Sequence, residues 1–185
     1  MTIAEFYTLY PIAENKEDVD KQLLSLPKPD SLAGRPLPTD LNGISIGEVM
    51  MLQQALKNGT TDYERFKSCA SILLQADIRP KHSAEAFFGF GLWLLNELER
   101  IGKLFDRVKI HPTDDEIQAG YDTLQFGFFG TLDWWCRRMG IKDHSEAERV
   151  PWIRIYKCMD MDGKRLMYER KLRQIYQNKQ QKRRR

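Results

Sequence analysis

The sequence predicts an all-α fold: a compact orthogonal bundle of about five to seven helices, preceded by an extended Pro-rich arm and followed by a basic helix. Three observations predict it. Four segments open with Ser or Thr and carry Glu three residues later: Ser45–Glu48, Thr61–Glu64, Thr113–Glu116 and Ser145–Glu148. In such a capping box the hydroxyl and the carboxylate each satisfy a backbone N–H at a helix start. Apolar residues recur at helical spacings, while alternating runs of strand length are nearly absent. Gly and Pro fall between the periodic stretches and not at random within them.

Taken in order, helices are expected at about residues 15–26, 45–57, 61–76, 83–105, 114–139, 151–159 and 163–180, with Asn15 and Ser83 as further N-caps. Residues 27–44, "PKPDSLAGRPLPTDLNGI", hold four of the eight prolines and read as a linker or an arm laid over the body. Asn58-Gly59 separates the second helix from the third. Arg79-Pro80 ends the third, and His111-Pro112 precedes the fifth, with Gly140 at its C′ position. The expected division is an arm over 1–44, a helical core over 45–160, and a basic helix with a frayed tail over 161–185. The fraying is expected at Arg183-Arg184-Arg185.

The fourth and fifth helices are rich in rings: "AFFGFGLWLLNELERIG" and "FGFFGTLDWWCRR". Over 114–139, Ile117, Tyr121, Leu124, Phe128 and Trp135 follow helical spacing, and Phe129 and Leu132 widen the stripe. Each interior glycine costs about 1 kcal/mol against Ala. Gly89, Gly91, Gly127 and Gly130 therefore suggest that the two helices cross near their glycines. A stripe of this kind fills a core, each ring contributing ~2–3 kcal/mol when covered, or lines a groove for a partner helix. The sequence leaves both open.

Composition narrows the function. Apolar residues make up 42% and charged residues 30% of 185, which fits a folded chain. No secretory signal is read at the N-terminus, and no apolar run approaches the ~20 residues that cross a bilayer. In the ring-rich stretch Asp133, Arg137 and Arg138 interrupt the apolar character, as Asp122 and Gln125 do before it. Cys69, Cys136 and Cys158 are odd in number and widely spaced, as expected of reduced thiols in a cytoplasmic protein. His82, His111 and His144 are equally scattered, so zinc is not expected. No phosphate-cradling glycine loop, HExxH or nucleophile elbow occurs. Asp114-Asp115-Glu116 stands at a helix start and complements the dipole there. His144 reads as a surface turn residue, and Cys136 as a small apolar one. Neither an enzymatic activity nor a cofactor or metal is expected.

Charge is divided unequally. Residues 151–185 contain twelve Lys or Arg and three Asp or Glu, a net of +9; the whole chain carries +3, so residues 1–150 carry −6. A basic end on an acidic body suggests docking on an acidic surface or contact with nucleic acid. Within "GKRLMYERKLRQIYQNKQQKRRR" and just before it, Met161, Tyr168, Leu172 and Ile175 make a narrow stripe, suited to an edge helix or to one that docks on another protein.

The segment "YDTLQFGFFGTLDWWCRRMGIKDHSEAERVPWIRIYKCMDMDGKRLMYERKL" resembles the tail assembly chaperones of tailed bacteriophages. The likeness is an order of features: an aromatic helix, a turn, a short helix, and a step into another helix at "AERVPWIRIY". Upstream, "LNGISIGEVMMLQQAL" is similar to the family's recurrent entry helix, with Ile46, Gly47, Val49 and Leu52 in matching places. The resemblance spans about residues 41–175. It implies a non-enzymatic role in the host cytoplasm, attending a long helical tape-measure protein and recruiting tail-tube subunits to it. Apolar contact residues are then expected at Phe128, Trp134, Trp135, Trp152 and Tyr156, and a charged rim at Arg165, Arg170, Lys171 and Arg173. Self-association into a homo-oligomer stays open. The alternative is a small basic-tailed nucleic-acid-binding protein, in which the short helix at 145–149 and the helix after Pro151 act as a helix-turn-helix.

Overall fold

A computed structural model describes residues 1–124 and 126–183. The fold is all-α. Among the described residues nine α-helices stand beside one two-stranded hairpin: α1 (Ile3–Leu9), α2 (Lys16–Leu24), β1 (Ser31–Leu32), β2 (Arg35–Pro36), α3 (Ile46–Asn58), α4 (Asp62–Leu74), α5 (Ala84–Val108), α6 (Asp114–Gln118), α7 (Gly127–Met139), α8 (His144–Glu148) and α9 (Trp152–Arg183). None of these helices is long and apolar enough to cross a membrane.

Caps explain most of the helix starts. Ser45, Thr61 and Thr113 each close a complete capping box with Glu48, Glu64 and Glu116. Thr2 and Glu5 form another, which begins α1, a helix the apolar periodicity did not suggest. The fourth expected box does not form. The Asp143 carboxylate accepts from the Ser145 N–H at 2.9 Å, so Asp143 caps α8 two residues earlier than Ser145 would. Asn15 stands at the start of α2 without a side-chain cap bond.

Two expected boundaries move. The helix expected over 114–139 is two helices, because Gly120 and Gly127 adopt φ of +90° and +56°, conformations that end a right-handed helix. A short 3₁₀ turn, Tyr121–Leu124, lies between them. Ile117, Tyr121 and Leu124 therefore do not continue the Phe128–Trp135 stripe; Gln125, within that expected helix, lies outside the described residues. Conversely, the two helices expected over 151–159 and 163–180 are one. Gly163 sits inside α9 with ordinary spacing to the Val108 carbonyl, and the Lys164–Asp160 pair at 2.6 Å spans the position. Arg184 and Arg185, where fraying was expected, lie outside the described residues.

The chain forms two compact units, Met1–Ile101 and Gly102–Arg185, dividing within α5. The composition shifts near residues 44 and 160 fall inside them. In the first unit α3 packs on α4. Ile46, Val49 and Leu52 meet a core completed by Phe66, Cys69, Phe87, Phe90 and Leu94, all buried. The Pro-rich segment is an arm laid on this unit. Leu32 and Leu41 are buried, Lys28 Nζ donates to the Pro38 and Thr39 carbonyls, and the Leu41 N–H donates to Glu97 at 2.9 Å.

The glycines of the ring-rich helices have other neighbours than the expected crossing supplies. A Cβ on Gly89 would strike the Pro27 carbonyl, and one on Gly91 would strike the Phe66 ring. They admit the arm and α4. Gly127 has nothing within 4 Å, and Gly130 meets Phe126 one turn back; both shape the start of α7.

Candidate partner-binding surface

The expected contact residues all lie in the second unit, on α7 and α9. α7 buries Leu132, Trp135 and Cys136 on one side. It ends at Gly140 in the left-handed conformation, and the Ile141 N–H closes the end on the Cys136 carbonyl at 2.9 Å. Burial, with the carboxylates of Asp133 and Asp143 nearby, pushes the Cys136 thiol up, away from thiolate chemistry.

α9 begins with Trp152 and Ile155, both fully buried. The ring of Trp152 lies 6.0 Å from Phe105 and 6.2 Å from Tyr156, and Phe105 and Tyr156 are also 6.0 Å apart. This three-ring cluster fixes the face that α9 turns inward. Further along the same face, Arg170 donates to Glu116 at 2.8 Å and 3.1 Å and to the His111 carbonyl at 3.2 Å. Asp162 takes both Arg138 donors, at 2.9 Å and 3.0 Å, and that bond holds the guanidinium pKa above its ordinary value. The cap of α6 and the Arg170 ion pair share Glu116. The Thr113 N–H and hydroxyl, then Arg170, hold its carboxyl below the usual range.

The expected residues separate accordingly. Trp135 and Trp152 are 2% and 0% exposed, so in the folded chain they are core. Phe128, Trp134 and Tyr156 are half-buried. Trp134 leans on Trp135 at 6.2 Å and lies under the Arg138 guanidinium at 5.8 Å. Arg170 is engaged within the unit. Arg165, Lys171 and Arg173 are exposed. Arg165 and Arg173 share Glu169, at 3.3 Å and 3.8 Å.

The outward apolar surface is carried largely by other side chains. Phe126 and Phe129 are 63% and 62% exposed at the start of α7, with Phe129 stacked on His144 at 4.9 Å. On α9, Met161, Met167, Tyr168, Ile175 and Tyr176 are exposed. Their orientation follows from helix geometry. At 3.6 residues per turn, a residue nine positions after Trp152 lies half a turn round the helix. That residue is Met161, and Tyr168, Leu172 and Ile175 continue its line. The stripe read from the sequence is thus the back of the helix, opposite its buried face. Fixing the phase on Trp152 and Ile155 is the signal that separates the exposed face from the core. Lys164 and Lys171 border the stripe on one side and Lys157 and Lys179 fall on its line, so the outer face mixes apolar groups with cations. From residue 173 to 183 every side chain is exposed.

Chemically, the surface can grip an apolar stripe flanked by carboxylates. Among the described residues no three His, Cys, Asp or Glu side chains converge as a metal site would require. Comparisons with protein-family models, with curated proteins and with solved structures return no match.

Proposed function

We propose that the chain is a non-enzymatic assembly factor akin to phage tail assembly chaperones, covering apolar helices of a tape-measure-like partner and helping to recruit tail-tube subunits. The observation that carries this reading is the outer face of α9, where Met161, Tyr168 and Ile175 stand exposed between lysines. A long helix with an unpaired apolar stripe aggregates unless covered. A second helix with a narrow stripe and a cationic rim covers it through modest contacts repeated along its length. Phe126 and Phe129 add a separate apolar contact, and Arg165, Lys171 and Arg173 supply rim charge. Trp135 and Trp152 support the surface from beneath.

Co-expression with the candidate tape-measure protein tests the reading. The Tyr168→Ser/Ile175→Ser variant should keep the parent's helical signal and melting temperature yet lose at least about tenfold in partner affinity, as expected when two contacts worth ~1 kcal/mol each are removed. Trp152→Ala should instead destabilise the fold by about 3–5 kcal/mol. If the double variant keeps the partner soluble as well as the parent does, the stripe is not the contact and the reading fails.

The basic end, with its net of +9, favours a second reading as a nucleic-acid-binding protein. Affinity for DNA or RNA would then fall steeply with salt, by close to one unit of log–log slope per phosphate engaged. A flat dependence removes it.

A further inference from the structure

The first unit carries a polar cavity that the partner-binding reading does not use. It has a volume of about 240 Å³ and is lined by Arg35 from the hairpin and by Gln75, Asp77, Arg79, Lys81 and His82 from the segment between α4 and α5. Three permanent cations thus face one carboxylate. Asp77 accepts from Arg79 Nε at 2.9 Å. That hydrogen bond, with the charge of Arg79 and Lys67 added, holds the Asp77 carboxyl below its ordinary range. Among the described residues the side chains of Arg35 and Lys81 enter no ion pair or hydrogen bond.

The cationic segment is held in place by its backbone. Ala76 and Ile78 are buried while Asp77 and Arg79 between and after them are exposed. The Tyr63 hydroxyl donates to the Ile78 carbonyl at 3.2 Å. The N–H groups of Ile3 and Ala4 donate to the His82 and Pro80 carbonyls, each at 2.9 Å. His82 Nδ1 accepts from the Arg79 N–H at 3.0 Å, which puts the neutral ring's proton on Nε2 and leaves that nitrogen a donor. Two non-glycine residues adopt the left-handed conformation, Ala33 at φ 49° and Gln75 at φ 51°, and both line this cavity. Gln75 closes α4 as its left-handed C-cap and Ala33 stands in the tight turn of the hairpin, so both turns fix the backbone that carries the cations.

We propose that this cavity is a binding site for a small phosphate-bearing anion of about pyrophosphate size. Guanidinium groups match phosphate oxygens in pairs, and lysine and imidazole donors complete the shell. The volume lies below the roughly 300 Å³ at which pockets for drug-sized ligands begin. The lining contains no Phe, Tyr or Trp ring on which a nucleobase could stack. The lining therefore recognises the phosphate groups themselves and gives a base nothing to stack on.

Titration calorimetry of the full chain with sodium pyrophosphate, at fixed ionic strength, tests the site. One saturable site with Kd near or below about 1 mM is expected. Arg35→Gln/Lys81→Gln changes only exposed side chains, so it should stay folded and weaken binding by at least about tenfold. Lys16→Gln/Lys57→Gln removes the same charge from exposed positions of the same unit outside the cavity lining and should leave Kd within about twofold. Equal weakening by both double variants, or no saturation up to about 10 mM, would show only diffuse attraction to a basic protein and overturn the proposal. So would a single-stranded oligonucleotide that binds more tightly than pyrophosphate through Arg35 and Lys81, since the occupant would then be a nucleic-acid backbone.

Discussion

Gly91 and Gly102 lie three turns apart in one helix, and their surroundings make opposite predictions. A Cβ at Gly91 would drive into the buried Phe66 ring, closer than real Cβ atoms approach. Gly91→Ala should destabilise the chain by about 1–3 kcal/mol, the cost of overpacking a filled core. Gly102 has nothing within 4 Å of that position, so Gly102→Ala should stabilise it by up to ~1 kcal/mol through helix propensity. Urea denaturation of the two variants measures both signs; a stable Gly91→Ala protein would mean that α4 can retreat. The cysteines separate in the same way. Burial raises the Cys69 thiol to about 12, whereas Cys158 is only half-buried. A thiol reagent at pH 8 should label Cys158 in the native chain and reach Cys69 only on unfolding. At this scale the sequence was half legible. Ring-rich helices with glycines do imply close approach, but which group approaches depends on residues distant in the chain, here Pro27 and Phe66.

Helix starts were legible wherever their chemistry is local. A Ser or Thr and a Glu three residues on can satisfy each other without help from the rest of the fold, and three of the four expected boxes formed. The fourth lost to Asp143, whose carboxylate is the stronger acceptor and stands in the residue before α8. Helix ends were harder. Gly120 and Gly163 look alike in sequence, yet one takes φ +90° and stops a helix while the other stays inside α9. Tertiary contacts decide between these outcomes. The arm makes the same point with a measurable consequence. Glu97 accepts from the Leu41 N–H and from Arg100, and the Arg100 bond is the main reason its pKa falls below the ordinary 4.5. A group depressed on folding contributes fully above its unfolded pKa and loses that contribution as pH falls through the folded one. Glu97→Gln should therefore cost about 1 kcal/mol at pH 7, and the gap between variant and parent should close only below pH 4.5. A gap independent of pH down to 3 would assign the loss to packing and not to charge.

For the whole molecule, the all-α class followed from periodicity and caps together, because neither depends on how the helices are arranged. The exposed apolar surface did not follow, because exposure depends on which side of each helix the rest of its unit covers. Tryptophans are the largest apolar side chains and drew attention for that reason, yet size also makes them the most useful for filling a core, and Trp135 and Trp152 do so. The surface passes instead to smaller groups on the back of α9. Beyond residue 172 that helix has no buried side chain among those described, so its last turns should contribute little to folding. Ending the chain after Arg173 should lower the helical signal by roughly the residues removed and leave the melting temperature within about 2–4 °C, the shift that 1 kcal/mol produces in a chain of this size. The same truncation removes Ile175, Tyr176 and Lys179 from the outer face. If the chain works by covering a partner helix, partner affinity should fall while stability holds. The remaining rim charges should govern the rate of association and its salt dependence more than the lifetime of the complex. A truncated chain that melts much earlier would show that the free end of α9 is folded against something, and the argument for an open docking face would fail with it.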